Sequence, residues 1–266
     1  MRRILIVSAV FLHCVLGALF SKNSNVVEVR STKFTEEVLY HPHVVAVMFY
    51  SPYCGYCKSM APDWEKAAKK MKGVAKFAAV DCTLRKNEVL CKRYGITGYP
   101  TIQMFQPAEL TDTDLQAVRN GSSIPKKRPE RYKYNSQRDS EALISYVKSK
   151  IRNYAIPLNP TNFKSFINSS TPKLLLLQNT DSKSIPLSIK ALSRDLFGRV
   201  DVGVATKSTL SLWSELNLSV PKDDKKLIFI NPNGENKVFS GKLDIKRIKQ
   251  FVKAQLAGPD PAKQEL

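Results

Sequence analysis

The segment Cys54-Gly55-Tyr56-Cys57 constrains the fold of this chain more than any other, because it lies where a strand pattern changes into a helix pattern. Residues 43–50 form a near-continuous apolar run, which is typical of a strand covered on both faces of a sheet. Residues 54–71 then follow helical spacing, interrupted by Pro62. The junction predicts a strand, a tight turn and a helix whose first turn carries both cysteines.

The two cysteines are expected to differ in reactivity. Two cysteines three residues apart on a first helical turn can close a disulfide, and the sulfur of Cys54 would face the unpaired N–H groups and the positive dipole end of the helix. Such thiols have a pKa of roughly 3.5–7.5 instead of about 8.5. We therefore expect Cys54 to attack a disulfide and Cys57 to resolve the mixed disulfide that forms.

Zinc binding is the alternative use of these cysteines, and it would recruit Cys82 and Cys91. A cysteine after a strand and another on a helix nine residues later do not form the second pair that a zinc site needs. The sequence therefore predicts no metal site, and no motif in it indicates a cofactor.

The N-terminus reads as a secretory leader over residues 1–21. Arg2 and Arg3 precede an apolar run over residues 4–16, and Gly17 and Ala18 are small residues at which a peptidase could cut. An N-terminal anchor helix is the alternative. Because four cysteines remain after the leader and the chain enters an oxidising compartment, disulfide chemistry becomes the default reading of those cysteines.

The C-terminal residues Lys263-Gln264-Glu265-Leu266 are similar to the Lys-Asp-Glu-Leu retrieval signal of lumenal endoplasmic reticulum proteins. We expect residues 263–266 to bind the retrieval receptor. The apolar run near the N-terminus is too short for a comfortable membrane span, so no span is expected in the mature chain.

Strand and helix patterns alternate twice along the chain in the same order. The first series predicts a domain over residues 22–151, and the second, which lacks cysteine, predicts a domain over residues 160–256. Residues 152–159 are predicted as a linker and residues 257–266 as a tail. The predicted fold class is α/β, with a mixed central sheet flanked by helices in each domain.

Two longer motifs connect the first domain to a known family. The segments Phe49–Lys58 and Tyr94–Thr101, together with Met60-Ala61-Pro62, closely resemble a catalytic domain of the protein disulfide isomerase family. The resemblance is strong over residues 25–151 and faint over residues 157–256. It implies two tandem thioredoxin-like domains, of which the second is redox-inactive.

The resemblance also implies the roles of residues outside the motif Cys54-Gly55-Tyr56-Cys57. A cis bond is expected between Tyr99 and Pro100, facing the Cys54 sulfur, where the Tyr99 backbone can pair with an extended substrate. Cys82 and Cys91 match a structural disulfide of several family members. The alternative for Cys82 and Cys91 is a second redox pair.

This sequence departs from the family pattern behind the active site. The family usually has histidine at the position of Tyr56, so we expect a less oxidising pair here. A buried Glu–Lys pair of the family is replaced by Met48 and Ala79. Arg138 matches a mobile arginine of the family that assists proton transfer to Cys57, and a solvated surface charge is the alternative for Arg138.

The net charge of +19, from 42 Lys and Arg against 23 Asp and Glu, is spread over both predicted domains. An even distribution does not favour a nucleic-acid groove, and no recognition motif for nucleic acid is present. The basic segment over residues 106–130 is expected to be a solvated loop near the active-site edge.

Two functions remain in competition. The leading one is a thiol–disulfide oxidoreductase and isomerase that acts on unfolded or misoxidised secretory proteins, with glutathione or an upstream thiol oxidase as the redox partner. The other is a chaperone or adaptor that binds clients through the second domain and traps them through Cys54.

Overall fold

The computed structural model describes residues 19–21, 23–180, 182, 184–209 and 225–257. Most of the predicted leader and the C-terminal tetrapeptide lie outside the described residues, as do residues 210–216, whose sequence pattern predicts a helix. In the described part, no helix is both long enough and apolar enough to cross a membrane.

The first sheet has five strands in the order β1-β3-β2-β4-β5. The parallel strands β1 and β2 flank β3, whereas β4 runs antiparallel to β2 and β5 antiparallel to β4. Their bounds are β1 Val26–Glu28, β2 Val45–Tyr50, β3 Lys76–Asp81, β4 Thr101–Gln106 and β5 Glu130–Lys133.

Helices cover both faces of this sheet, which is why all six residues of β2 are buried. On one face, α1 (Gly55–Lys70) packs beside α4 (Ser140–Ser149) around Trp64 and Leu143. On the other face, α2 (Arg85–Arg93) packs with a short helical stretch over residues 31–39 around Phe34 and Leu90. Residues 32–39, whose spacing in the sequence predicts a helix, lie in a 3₁₀ turn over Ser31–Lys33 and a π-helical turn over Thr35–Leu39.

The second sheet repeats the topology of the first, with the strand order β6-β8-β7-β9-β10 read from the parallel edge. Its elements are β6 Ile156–Pro157, α5 Phe163–Asn168, β7 Lys173–Gln178, α6 Leu187–Asp195, β8 Asp201–Ala205, β9 Lys225–Ile230, β10 Asn236–Val238 and α7 Ile245–Leu256. The four leucines of β7 are fully buried, because α5 covers one face and α6 with α7 the other. The predicted fold class, two tandem thioredoxin-like units, is confirmed.

Two short stretches differ from the sequence interpretation. Residues 156–157, placed in the predicted linker, form β6 and pair with β8. Phe20, placed in the predicted leader, is buried and its ring meets Tyr50 edge-on at 5.7 Å.

The segment 106–130 is not the solvated loop that the sequence suggested. It contains α3 (Asp112–Arg119), whose N-terminus is closed by a capping box between Thr111 and Asp114. Arg119 pairs with Asp201 at 3.0 Å, and Val118 packs so closely on Gly198 that a Cβ there would lie 2.6 Å from it. The segment therefore docks the first unit on the second.

A half-buried cluster of polar and charged side chains joins the two units on the same side. Asp195 of α6 accepts from His43 at 3.2 Å and pairs with Lys249 of α7 at 2.6 Å. The neighbouring Arg194 donates to the carbonyl oxygen of Ala108 at 3.2 Å. These contacts fix how the catalytic unit sits on the cysteine-free unit.

Candidate active site

The residue before α1 is Cys54, which has an extended backbone and occupies the N-cap position. Its N–H donates to the carbonyl oxygen of Ser51 at 3.1 Å, which closes the turn between β2 and α1. The carbonyl oxygen of Cys54 then accepts from the N–H groups of Cys57 and Lys58, both at 3.1 Å. The thiol is thereby held at the helix end, where N–H groups lack partners and the dipole is positive.

The Cys54 thiol is the accessible member of the pair, and its Sγ lies 3.4 Å from the carbonyl oxygen of Tyr99. Partial burial opposes ionisation, but hydrogen bonds from Cys57 and from the N–H of Tyr56, with the charge of Arg138, lower the pKa of Cys54 below its ordinary value. Both cysteines are free thiols in this structure. Cys54 is thus the thiol most readily converted to a thiolate.

The Cys57 thiol behaves in the opposite way. It is fully buried beneath the first turn of α1, and this burial raises its pKa to about 12, with the neighbouring Cys54 acting in the same direction. A buried neutral thiol is a poor nucleophile until it loses its proton. This asymmetry supports the prediction that Cys54 attacks and Cys57 resolves.

The peptide bond between Tyr99 and Pro100 is cis, as the family resemblance implied. Pro100 is buried just before β4, and Tyr99 keeps 38% of its surface exposed. The Cys54 thiol donates to the Tyr99 carbonyl oxygen across this loop. An extended peptide seated here would have its sulfur beside Cys54 and a backbone acceptor beside its N–H groups.

Exposed tyrosines surround the reactive thiol. The side chains of Tyr53 and Tyr56 are 68% and 76% exposed, and Tyr99 completes the group. Tyrosine offers a large apolar face together with a polar hydroxyl, which suits contact with unfolded peptide. Tyr53 was not among the predicted site residues, although it directly precedes Cys54 in the sequence.

Arg138, which matches the mobile arginine of the family, lies in the loop before α4, next to the N-cap residue Asp139. Arg138 is exposed, and its positive charge lowers the pKa of both thiols, in each case behind the larger effects of burial and hydrogen bonding. The side chain therefore acts electrostatically on the pair. A proton-transfer role for Arg138 stays a prediction, with a solvated surface charge as the alternative.

Behind Cys54 and Cys57, an acidic residue that was not among the predicted site residues, Glu28, lies on the neighbouring strand β1. Met48 and Ala79 are neighbours across β2 and β3, both buried, and Glu28 of β1 is the next residue in the same register. Glu28 accepts a hydrogen bond from the Tyr50 hydroxyl at 3.0 Å. Burial first, then Glu28, raise the pKa of Tyr50 far above its ordinary value, and a smaller contribution comes from Cys57. The protonated hydroxyl of Tyr50 is thus hydrogen-bonded to the Glu28 carboxylate on the edge strand, and Tyr50 belongs to the same core cluster as Cys57.

Cys82 and Cys91 form a disulfide with a Cα–Cα distance of 5.9 Å, as the resemblance implied. Cys82 follows β3 and Cys91 lies on α2, so the bond ties the loop between them to the core beneath it. The disulfide belongs to the face of the sheet opposite α1 and stands apart from the Cys54–Cys57 pair.

We expect Tyr56→His to make the Cys54–Cys57 pair more oxidising. A partly protonated imidazole beside Cys54 stabilises the thiolate, and hence the reduced form, by up to roughly fivefold in the equilibrium constant, since exposed charge pairs contribute about 0.2–1 kcal/mol. The equilibrium of the pair with glutathione measures the effect. Tyr56→Gln is the neutral control, and an equal shift in both variants would show that charge is not the cause.

The chain is similar in sequence to thioredoxin and to several protein disulfide-isomerases. The thioredoxin family model matches residues 25–130. The chain is 25% identical over 203 residues to protein disulfide-isomerase MPD1 of Saccharomyces cerevisiae, covering 76% of this chain and 63% of that protein. It is 30% identical over 161 residues to protein disulfide-isomerase A3 of Gallus gallus (60% and 28% covered). It is 37% identical over 119 residues to protein disulfide-isomerase A6 of Homo sapiens (45% and 26% covered).

Among solved structures, a crystal form of ERdj5 aligns with a TM-score of 0.49 and 18% identity, covering 89% of this chain and 30% of that one. The chain spans less than two thirds of the length of each of the three relatives named above. The sequence similarity extends through the strand–helix junction that carries Cys54 and Cys57.

Proposed function

Because this chain belongs to the protein disulfide isomerase family, we propose that it is a thiol–disulfide oxidoreductase and isomerase of folding secretory proteins in the endoplasmic reticulum. The observation that carries the proposal is the unequal thiol pair on α1. Cys54 is accessible and easily ionised beside the Tyr99 carbonyl, whereas Cys57 is buried and protonated.

In the reductive direction, the Cys54 thiolate attacks one sulfur of a substrate disulfide. The new bond joins Cys54 to that sulfur, the substrate S–S bond breaks, and the second substrate sulfur leaves as a thiolate that takes up a proton. Cys57 then loses its proton and attacks the Cys54 sulfur. The substrate is released as a dithiol, and the enzyme is left with a Cys54–Cys57 disulfide.

The same steps in reverse donate a disulfide to a reduced substrate. Isomerisation needs only the first step, followed by attack of another substrate thiolate on the mixed disulfide, with no net change in the enzyme. Reduced glutathione returns the oxidised pair to the dithiol, and an upstream thiol oxidase reoxidises it. Which direction dominates depends on the reduction potential of the pair against that of its compartment.

The proposed location rests on the two ends of the sequence. A secretory leader would deliver the chain to an oxidising lumen, and the Lys263–Leu266 tetrapeptide would return escaped molecules through the retrieval receptor. In that compartment, unfolded or misoxidised secretory proteins are the available substrates. The exposed tyrosines around Cys54 offer them an apolar surface.

One observation favours the second candidate, an adaptor that holds clients through Cys54. Burial raises the pKa of Cys57, and a thiol that ionises with difficulty would attack the mixed disulfide slowly and lengthen the life of the covalent intermediate. The adaptor would still bind clients but would complete few catalytic cycles. The two functions therefore differ in turnover rather than in binding.

Glutathione-dependent reduction of insulin and reactivation of scrambled ribonuclease distinguish the two. We expect the full chain to complete many turnovers of each reaction per active site, and the double variant Cys54→Ser/Cys57→Ser to match the rate without enzyme. At most one equivalent of product per protein, together with captured client, would contradict the catalytic function and favour the adaptor.

A further inference from the structure

A second concave site lies on the catalytic unit, on the face of the sheet opposite α1. It is a cavity of about 220 Å³ between the C-terminal end of α2 and the start of β5, with Tyr94 and Phe105 among its lining residues. Three arginines also line it: Arg93 at the end of α2, Arg128 before β5 and Arg131 on β5. The disulfide chemistry uses none of these residues.

One of the three guanidinium groups lies over the ring of Tyr94, and the other two line the same cavity. The Cζ atom of Arg131 lies 5.4 Å from the centroid of the Tyr94 ring, a cation–π distance. Burial raises the pKa of Tyr94, and the charges of Arg131, Arg128 and Arg93 oppose this rise. All three charges therefore lie near the same phenol, which stays protonated at neutral pH and is able to donate.

Within the described residues, none of the three arginines has a carboxylate partner within ion-pair distance. The acids that adjoin them in the chain are engaged elsewhere: Glu88 pairs with Lys92 at 2.6 Å, and Glu130 pairs with Arg152. Like charges held around one cavity repel each other unless an anion lies between them. All three arginines are exposed, so solvent screens this repulsion, and the cavity presents a surplus of positive charge that attracts an anion.

The chemistry of the lining favours a multiply charged oxyanion. Each guanidinium presents a planar fork of N–H donors that matches phosphate or carboxylate oxygens, which a lysine does not. A single carboxylate carries one charge, whereas a phosphoryl group carries about −1.5 to −2 at neutral pH and three acceptor oxygens. The cavity volume lies below the roughly 300–1,000 Å³ of sites for drug-sized ligands, so the cavity suits a phosphoryl group and not a whole nucleotide.

We propose that the cavity formed by Arg93, Arg128, Arg131 and Tyr94 binds a phosphoryl group. Each arginine would donate to phosphoryl oxygens, and the Tyr94 hydroxyl would add a neutral donor. The group can belong to a small phosphate anion or to a phosphorylated side chain of a protein.

Calorimetric titration of the full chain with inorganic phosphate and with pyrophosphate, at low ionic strength, tests the site. We expect saturable binding at one site per chain. Arg93→Gln and Arg131→Gln should each weaken it at least about tenfold, because each removes charged hydrogen bonds. The matched control is Arg85→Gln, an exposed arginine of the same helix outside the cavity, which should change affinity less than about twofold.

Two further measurements distinguish a specific binding site from nonspecific electrostatic attraction. Arg131→Lys keeps the charge but loses the fork, so it should bind more weakly than the native chain. A phosphoserine peptide that binds more tightly than phosphate, with its serine counterpart silent, would identify phosphoproteins as the source, whereas equal or tighter binding of the free anions would identify small phosphates. Binding without saturation, or an equal loss in the Arg85 and Arg93 variants with unchanged melting temperatures, would overturn the proposal.

Discussion

Replacing Cys54 with serine is expected to reduce insulin reduction and ribonuclease reactivation to the rates measured without enzyme. A serine hydroxyl does not form a mixed disulfide, so the first bond of the reaction cannot be made. Cys57 cannot take over, since it is fully buried and its pKa of about 12 leaves almost no thiolate at neutral pH. Steady-state assays with glutathione measure the loss.

The matched control is the double variant Cys82→Ser/Cys91→Ser, which makes the same chemical change on the opposite face of the sheet. It should retain most activity at moderate temperature while losing about 2–4 kcal/mol of unfolding free energy, the range typical of a native disulfide. Substantial activity in the Cys54 variant, or an equal loss of activity in a control that remains folded, would refute the assignment of Cys54 as the nucleophile.

Cys57→Ser is expected to have the second-largest effect, and of a different kind. Cys54 remains able to attack, but nothing inside the protein resolves the product, so mixed disulfides with substrate accumulate towards one per chain. Turnover should fall to the slow rate at which glutathione itself cleaves the intermediate. Non-reducing electrophoresis after acid quenching, with the linkage mapped by mass spectrometry, counts the trapped species.

The double variant Cys54→Ser/Cys57→Ser controls for trapping through other cysteines and should give no mixed disulfide. A native turnover rate for Cys57→Ser would mean that resolution comes from the substrate or from glutathione. The pair would then act as a one-cysteine isomerase, and the buried position of Cys57 would have only a structural role.

Local patterns were sufficient to predict the elements that carry the chemistry. The strand predicted over residues 43–50 is found as β2, and α1 begins one residue after the predicted start at Cys54. An apolar run followed by helical spacing leaves little freedom at that junction. The cis bond before Pro100 and the Cys82–Cys91 disulfide came from the family resemblance and not from spacing.

Features that depend on contacts distant in sequence were not predicted. The helix α3 is short, and its Val118 is buried where Gly198 of the second unit lies against it. The Glu28–Tyr50 hydrogen bond joins residues on strands separated by β3, so only the sheet order brings them together. The pairing of His43 with Asp195 likewise requires the relative placement of both units.

The central claim is that Cys54 and Cys57 are unequal thiols, and the pH dependence of alkylation tests it most directly. The reduced full chain is treated with limiting iodoacetamide across a pH series, and the modification of each cysteine is quantified by mass spectrometry. We expect the alkylation rate of Cys54 to rise with a midpoint pH below the ordinary thiol pKa, and Cys57 to stay unmodified at neutral pH. Equal reactivity of the two thiols, or earlier modification of Cys57, would contradict it.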